Sequence, residues 1–310
     1  MNDKTGRRKT PSAVEQVISA IQSPWIVGFD GSAGALCRSF EPPPGGDDYK
    51  DLLVRARTAL RPFQRKLYAA KQFSILLVFQ ALDAAGKDGV IREVFEDLDP
   101  VNVNVTAFKR PSERELRHDF LWRTSLALPE RGEIAVFNRS HYEEVLTVRV
   151  HPEFLGAQYA GSPPDPESLW PARYRAIREH ERHLATANTL ILKFWLNVSP
   201  EQQARRFLER LDTPAKRWKF SLGDVRESNH RPAYDEAVRI MFEETSRPWA
   251  PWFCVPADER WYLRWQVAEI IRQAMAALPL SYPPVDEIPS GQAAEVRALL
   301  QSRLTREPSA

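Results

Sequence analysis

Cysteine is scarce in this 310-residue chain, long apolar runs are absent, and neither sign of charge dominates. Two cysteines, Cys37 and Cys254, allow at most one disulfide and no cysteine-based metal motif. No stretch approaches the roughly 18 apolar residues that a membrane helix needs. The basic start, "MNDKTGRRKT", precedes no apolar segment of the secretory type. We therefore expect a cytoplasmic protein without a membrane partner.

The balance of charge limits the class of ligand. The chain has 43 Lys and Arg residues against 41 Asp and Glu residues, which gives a formal net charge of +2. Such a small excess does not indicate nucleic acid as a partner, so a polyanionic ligand would have to bind to local basic patches. A hydrophobic content of 43% and a charged content of 27% are typical of a globular protein.

Short apolar segments alternate with helical patterns through most of the chain. The strand candidates are residues 74–80, 103–108, 133–138 and 189–197, with a weaker one at 252–255. The first, third and fourth are almost continuously apolar, as expected for strands covered on both faces. Helix start signals predict helical stretches at 111–128, where Ser112 and Glu115 have capping-box spacing, and at 199–211. This alternation predicts an α/β fold, a parallel sheet with helices on both faces.

Composition divides the chain into three parts. Residues 1–48 form an N-terminal arm and a loop rich in proline and glycine, and the first 12 residues are expected to be disordered. Residues 49–278 form one domain, which opens on a helix from Tyr49 to about Ala70. Residues 279–310 form a tail with proline-rich linkers and one short helix.

Residues 79–89, "FQALDAAGKDG", have the placement of a loop that binds phosphate. They follow a buried strand and lead into a helical pattern, where backbone N–H groups and a helix N-terminus favour anions. The usual pattern is G-x-x-x-x-G-K-[ST]. This chain has Ala81 at the first glycine position and Asp88 at the hydroxyl position. The pattern alone therefore leaves open whether the loop binds a nucleotide or other phosphates.

The remaining residues of the loop support phosphate binding. Gly86 and Gly89 supply backbone freedom, and Lys87 supplies a cation for phosphate oxygens. Asp83 has two interpretations: its carboxylate could hold a metal ion beside the phosphates, or it could form a turn or cap.

A second candidate element ends the third predicted strand, at "FNRS". The position that often carries a metal-binding Asp is Asn138, whose amide oxygen can ligate a cation but brings no negative charge. Arg139 could bind phosphate through its planar fork. A structural ion pair at the strand end is the alternative for this arginine.

Basic residues gather in a third region, residues 212–236, which has no regular apolar stripe. Either it is a mobile segment that closes over a phosphate site, or it is a solvated basic loop. Its basic members are Lys216, Arg217, Lys219, Arg226 and Arg231. Arg205, Arg206 and Arg210 are weaker candidates, because exposed helix faces are often rich in arginine.

Several separated motifs, in order, resemble the family-2 polyphosphate kinases, which are polyphosphate-dependent nucleotide phosphotransferases. The resemblance spans roughly residues 49–277 and rests on "LDAAGKDG", "FKRPSERELRHDFLWR", "FNRSHYEEVL", "KFWLNVS" and "KRWKFS". The wording of the third and fourth motifs is closest to members that phosphorylate AMP and ADP. The loop of the family is G-x-D-x-x-G-K-x-G, from which only Ala81 departs, while Asp88 falls at an unrestricted position.

The resemblance implies a P-loop kinase-like fold with a basic lid at about 212–236. It implies transfer of the terminal phosphoryl group of inorganic polyphosphate to a nucleoside mono- or diphosphate, with Mg²⁺ or Mn²⁺, in a homo-oligomer. The implied catalytic residues are Asp83, Lys87 and Arg139, with Asp83 also as the metal ligand. The implied phosphate-binding residues are Ala84, Ala85, Gly86, Asp88, Gly89, Arg217, Lys219 and Arg226. The implied nucleotide-binding residues are Lys109, Asp119, Arg123 and Asn138.

Two departures and two rival functions remain open at this point. In the lid, Ser228 and Arg231 precede Tyr234, where many relatives carry an Arg and then a Trp. One rival is an ATP-dependent kinase of a nucleotide or another small molecule on the same fold. The other is a non-catalytic protein that binds polyphosphate or nucleotide, in which Ala81 and Asn138 mark lost catalysis.

Overall fold

The computed structural model describes residues 10–30, 39–43, 48–284 and 290–304. The chain groups into two units, Met1–Leu280 and Ser281–Ala310. The expected disorder of the first residues concerns mainly residues 1–9, which lie outside the described residues, as do Cys37 and part of the proline- and glycine-rich loop. In the second unit, the helix expected near the C-terminus is Ser290–Leu304.

A five-stranded parallel sheet forms the centre of the first unit. Its strands are β1 (Ser74–Gln80), β2 (Val103–Ala107), β3 (Ile134–Asn138), β4 (Thr189–Asn197) and β5 (Trp252–Pro256). Their order across the sheet is β2-β3-β1-β4-β5, so β1 is central and the loop that follows it lies between the ends of β3 and β4. The predicted parallel α/β sheet is confirmed.

Helices cover both faces of the sheet. The helices of the first unit are α1 (Ala13–Ser19), α2 (Tyr49–Ala70), α3 (Lys87–Val94), α4 (Glu113–Leu116), α5 (Trp122–Ser125), α6 (Thr147–Val150), α7 (Pro166–Thr186), α8 (Pro200–Asp212), α9 (Leu222–Glu227), α10 (Arg231–Thr245) and α11 (Arg260–Ala277). Along β1, Leu77 and Phe79 pack in the core that includes α2, α3 and α11. Leu76 and Val78 pack in the opposite core, with α7 and α10. This alternation explains the almost continuous apolar run of the strand.

The burial of each strand follows from its position in the sheet and from what covers its edge. β1, β3 and β4 are almost wholly buried, as predicted, and β5 is fully buried as well. The short segment around Ile26 pairs with Phe253 in an isolated antiparallel bridge, which covers the side of β5 that no strand of the sheet occupies. β2 is the opposite edge strand and is largely exposed.

The single helical stretch expected over residues 111–128 is wrong. The capping box of Ser112 and Glu115 forms, but α4 lasts one turn, and α5 is a separate turn. The carboxylate of Asp119 accepts the N–H of Leu121 at 3.0 Å, a local turn that competes with helix continuation. The buried Arg123 then points inward and donates to the carbonyl of Lys109 at 2.7 Å.

The basic segment at 212–236 consists of short helical pieces. A 3₁₀ turn at Pro214–Lys219 is followed by α9, a second 3₁₀ turn at Ser228–His230, and the first residues of α10. The hydroxyl of Ser221 caps α9 by accepting two backbone N–H groups.

Among the helices in the described part of the chain, none combines the length and apolar character needed to cross a bilayer.

Candidate active site

The loop after β1 forms a turn in which two residues have left-handed backbone. Ala84 has φ 63° and Gly86 has φ 106°, and Gly86 is the residue from which α3 starts. Gly86 therefore needs glycine, because a side chain at this φ would be strained. Ala81 does not have a positive φ, and its methyl packs at the edge of the core. The alanine at the first position of the loop is thus compatible with the turn.

Lys87 is the first residue of α3, and its side chain folds back over the loop. Its ammonium donates to the carbonyl of Ala81 at 2.7 Å, and the carbonyl of Leu82 lies 3.4 Å away. Burial, together with the nearby charge of Arg139, lowers the pKa of Lys87 to about 8. The ammonium is therefore held at the loop mouth with little water around it, where a phosphate oxygen would be a better partner than a carbonyl.

Arg139 follows β3 and also has a positive φ, 64°. Its backbone N–H donates to Phe79 at 3.0 Å, and this contact fixes it beside the end of β1. Its guanidinium donates to the carboxylate of Asp83 at 2.7 Å. The carboxylate of Glu143, more than that of Asp83, raises the pKa of Arg139. The ion pair that the sequence analysis considered for Arg139 is present, and it lies at the wall of a cleft.

Asp88 and Asn138 are joined across the same end of the sheet. The amide nitrogen of Asn138 donates to the carboxylate of Asp88 at 2.8 Å. The ammonium of Lys219, from the basic segment, lies 3.9 Å from the other oxygen of Asp88. The phosphate loop, the end of β3 and the basic segment therefore meet at one carboxylate.

These elements line a basic cleft of about 860 Å³. Eleven basic side chains and three acidic ones face it. The basic residues are Lys87, Arg92, Lys109, Arg110, Arg139, Arg206, Arg210, Lys216, Lys219, Arg260 and Arg264, and the acidic ones are Asp83, Asp88 and Glu209. This excess of positive charge, in a chain that is nearly neutral overall, favours a polyanionic ligand.

Arg206 supports the loop from behind. Its buried guanidinium donates to the carbonyls of Ala84 and Ala85, at 3.1 and 2.7 Å, and to those of Ala257 and Asp258, at 2.6 and 3.0 Å. Burial lowers its pKa to about 10. Arg206 therefore ties the phosphate loop to the end of β5.

Gln203 adds a further tie to the loop that the sequence interpretation missed, since its side-chain amide donates to the carbonyl of Asp83 at 2.8 Å. Gln203 and Arg206 are three positions apart on α8. That spacing puts two side chains on one face of a helix and was the available signal.

A second cavity, of about 240 Å³, adjoins the other side of the loop. Its charge differs from that of the basic cleft, because four carboxylates and only two arginines line it, together with three aromatic side chains. The aromatic and acidic residues are Phe154, Trp195, Tyr234, Asp83, Glu143, Asp224 and Glu227. The carboxylate of Glu227 accepts the hydroxyl of Tyr234 and lies 2.7 Å from the ring nitrogen Nε2 of His151. The sequence interpretation missed most of this cavity, whose residues come from four separate segments.

The residues expected to bind nucleotide are divided between cavities. Lys109 and Asn138 face the basic cleft. Asp119 and Arg123 face a third cavity of about 220 Å³. Two of the expected lid cations also lie apart from the basic cleft. Arg217 donates to the carbonyl of Leu211 at 2.9 Å, and Arg226 lies on α9 and lines neither the cleft nor the second cavity.

The oxygen-bearing side chains of the basic cleft suit a hard divalent cation. Asp83 and Asp88 offer carboxylates and Asn138 offers an amide oxygen, ligands of the kind that Mg²⁺ prefers. Within the described part of the chain, no group of three or more His, Cys, Asp or Glu side chains is placed to hold a metal by itself. Magnesium at phosphate sites commonly takes one or two carboxylates and completes its shell with water and substrate oxygens, so the residues fit.

Comparisons with known proteins agree on one family. The family model described as "Polyphosphate kinase 2 (PPK2)" matches residues 45–280. An ADP-polyphosphate phosphotransferase of Rhodopseudomonas palustris is 46% identical over 238 residues, which are 76% of this chain and 82% of the relative. An AMP/ADP-polyphosphate phosphotransferase of Meiothermus ruber is 44% identical over 72% of this chain and 80% of the relative. The crystal structure of polyphosphate kinase 2 from Arthrobacter aurescens superposes with a TM-score of 0.78 at 36% identity, covering 90% of this chain and 95% of that one.

Proposed function

Because the chain belongs to the polyphosphate kinase 2 family, we propose that it transfers the terminal phosphoryl group of inorganic polyphosphate to AMP or ADP, in a reversible, magnesium-dependent reaction. Its relatives bear the names of polyphosphate phosphotransferases for both acceptors. One observation carries the proposal: two cavities of different character meet at the ion pair of Asp83 and Arg139, which line both. Such an arrangement brings two different phosphate-bearing substrates to one point.

The basic cleft is the proposed site of polyphosphate. Its surplus of basic over acidic side chains suits a ligand that carries charge along its whole length. The N-terminus of α3 and Lys87 lie where the chain end would receive backbone N–H groups and an ammonium. Lys216 and Lys219 bring cations from the basic segment to the same cleft.

The second cavity is the proposed site of the acceptor nucleoside. The exposed Phe154 offers a flat surface for a base, beside a wall formed by Trp195 and Tyr234. The carboxylates of Glu143 and Glu227 can accept hydroxyl groups of a ribose. The same carboxylates repel a chain of phosphates, so the two substrates are sorted by charge. The acceptor phosphate would then lie towards Arg139, where the two cavities join.

The chemistry requires no covalent intermediate on the protein. An oxygen of the acceptor phosphate attacks the terminal phosphorus of polyphosphate, a new P–O bond forms, and the bridging P–O bond breaks with its electron pair leaving on the shortened polyphosphate. Lys87 and Arg139 would neutralise the charge on the transferring group. Asp83, Asp88 and Asn138 would hold magnesium, which would supply positive charge against the phosphate groups.

The segment at 212–236 is the proposed lid. It contributes residues to both cavities: Lys216, Trp218 and Lys219 face the basic cleft, and Asp224, Glu227, Ser228, Arg231 and Tyr234 face the second cavity. A movement of this one segment would therefore enclose both substrates together and exclude water, which otherwise competes as the acceptor.

The test is an assay without ATP. Purified protein is mixed with polyphosphate, Mg²⁺ and either AMP or ADP, and the products are followed by ³¹P NMR. Growth of the ADP or ATP signals at the expense of polyphosphate is the expected result. Absence of transfer with both acceptors, in Mg²⁺ and in Mn²⁺, would overturn the proposal. In a separate sample that contains ATP and no polyphosphate, phosphorylation of AMP would point to the ATP-dependent rival. Light scattering of the same sample measures the proposed assembly into a homo-oligomer.

A further inference from the structure

We propose that Asp88 and Asn138 act as one metal-facing pair, in which the carboxylate and the neutral oxygen of an ordinary phosphate loop have exchanged places. The inference rests on the proposed function, because it concerns the same phosphate site. In the ordinary arrangement, a Ser or Thr follows the loop lysine and an Asp ends the neighbouring strand, and together they hold Mg²⁺. In this chain, Asp88 follows the lysine and Asn138 ends β3.

The contact between the two side chains fixes the orientation of the amide. The nitrogen of Asn138 lies 2.8 Å from a carboxylate oxygen of Asp88. An ionised carboxylate only accepts hydrogen bonds, so the amide must turn its nitrogen towards Asp88 and its oxygen away. Asp88 therefore supplies the negative charge of the pair and positions the neutral oxygen of Asn138.

The location of Asp88 calls for a cation. Its side chain is 68% exposed and faces a cleft whose proposed ligand is a polyanion, so the carboxylate would repel that ligand unless a positive ion lay between them. The space beside it accepts positive charge, since the ammonium of Lys219 lies 3.9 Å from its second oxygen. A magnesium ion held at this carboxylate would supply the positive charge that removes the repulsion.

A simpler role for Asp88 makes different predictions. As the second residue of α3, its charge would stabilise the helix N-terminus. That role needs neither Asn138 nor a metal ion. The exchange, in contrast, makes the effects of substitutions at 88 and 138 depend on each other, and it makes both depend on Mg²⁺.

A double-mutant cycle tests the pair, with Asp88→Thr, Asn138→Asp and the double variant, which restores the ordinary arrangement. The first readout is the Mg²⁺ concentration that gives half of the thermal stabilisation by tripolyphosphate, and the second is the Mg²⁺ dependence of transfer to ADP. Each single variant should need about 10–100-fold more Mg²⁺. Asp88→Thr lacks the carboxylate, and Asn138→Asp replaces the amide donor with a second carboxylate, whose repulsion turns the two side chains away from each other. The double variant should return to within about tenfold of the parent protein.

Two further variants make the outcome decisive. Asp88→Asn keeps the size of the side chain and removes only its charge, so it tests the carboxylate even if Asp88→Thr folds poorly. Asp51→Thr, in the first turn of α2, is the matched control for a helix N-terminal acid and should leave the Mg²⁺ requirement unchanged. An unchanged requirement in Asp88→Asn, or losses that simply multiply in the double variant, would overturn the pair. A coupled Mg²⁺ requirement for stabilisation, in a protein that transfers no phosphoryl group, would support the pair and overturn the proposed activity.

Discussion

The guanidinium of Arg139 lies 2.7 Å from the carboxylate of Asp83, and this ion pair forms part of the wall of two cavities at once. Both side chains are partly exposed, with 40% of the arginine and 27% of the aspartate accessible. Pairs of this kind contribute about 0–1 kcal/mol to stability, so the pair is poorly explained as a structural brace. Its location at the junction of the cavities fits instead the role proposed for it in phosphoryl transfer.

Substitution of either member should therefore slow turnover strongly and leave the fold intact. We expect Asp83→Asn and Arg139→Gln to lower kcat by about 10²–10³, the usual cost of removing one charged group from a preorganised site. Melting temperature and kcat are measured on the same preparations. Arg205→Ala is the control, because Arg205 forms an exposed ion pair with Glu201 outside both cavities. Equal losses in the control, or losses that follow the melting temperature, would contradict the prediction.

Arg206 should behave differently from its neighbour. Arg206→Ala leaves four carbonyl groups without their guanidinium donor, and each buried polar group left unpaired costs about 1–3 kcal/mol. We expect the free energy of unfolding to fall by at least that amount and turnover to fall with it, because the phosphate loop loses its support. Urea denaturation measures the first effect.

The comparison for Arg206 is again Arg205→Ala, one position away and exposed, which should change stability by no more than about 0.5 kcal/mol. A stable Arg206→Ala protein with a selective increase in the KM for polyphosphate would show that Arg206 contacts the substrate and does not brace the loop.

The two cavities should respond to different substitutions. Phe154→Ala removes an exposed aromatic face from the second cavity and should raise the KM for the nucleotide, because a stacked base gains about 1–3 kcal/mol from such a face. Lys219→Ala removes a cation from the basic cleft and should raise the KM for polyphosphate. Steady-state kinetics with each substrate varied in turn separates the two effects. If both substitutions changed the same KM, the assignment of the cavities would be wrong.

A buried histidine should make the protein sensitive to acid. His141 is 2% exposed, and neither of its ring nitrogens has a hydrogen-bond partner among the described residues. Burial, followed by the charges of His180, Lys193 and Arg123, lowers the pKa of His141 well below its usual value. The folded state therefore keeps this ring neutral while the unfolded chain binds a proton below about pH 6.5. The contribution of the neutral His141 ring to the free energy of unfolding is fully present above that pH and is lost as the pH falls.

As the pH falls, the free energy of unfolding should decrease by up to about 1.4 kcal/mol per pH unit, which is the slope for one proton bound only by the unfolded state. Chemical denaturation at several pH values between 7 and 5 measures it. His141→Phe should remove most of that slope, whereas His183→Asn, a substitution at an exposed histidine on the same protein, should retain it. A parent protein whose stability is flat over this range would contradict the prediction.

The sequence predicted well those features that depend on residues close together in the chain. β1 and its two neighbours in the sheet, β3 and β4, were recognisable because nearly every residue in them is buried, so hydrophobicity alone marks them. The common location of Lys87, Asp83 and Arg139 was predictable because parallel strands end at one edge, where loops converge. The break between α4 and α5 was not recognisable, since Arg123 turns inward to a carbonyl 14 positions away. The second cavity was missed for the same reason, because it exists only where four distant segments meet.

The backbone at Ala81 has a consequence for how such proteins are recognised. The carbonyl of this residue receives the ammonium of Lys87, and a carbonyl is the same whichever side chain the residue bears. Since φ is not positive there, the loop demands a main-chain acceptor at that position and not a glycine. A search pattern that insists on glycine would pass over loops with this backbone. Substitution back to glycine would add freedom to the unfolded chain without improving the turn.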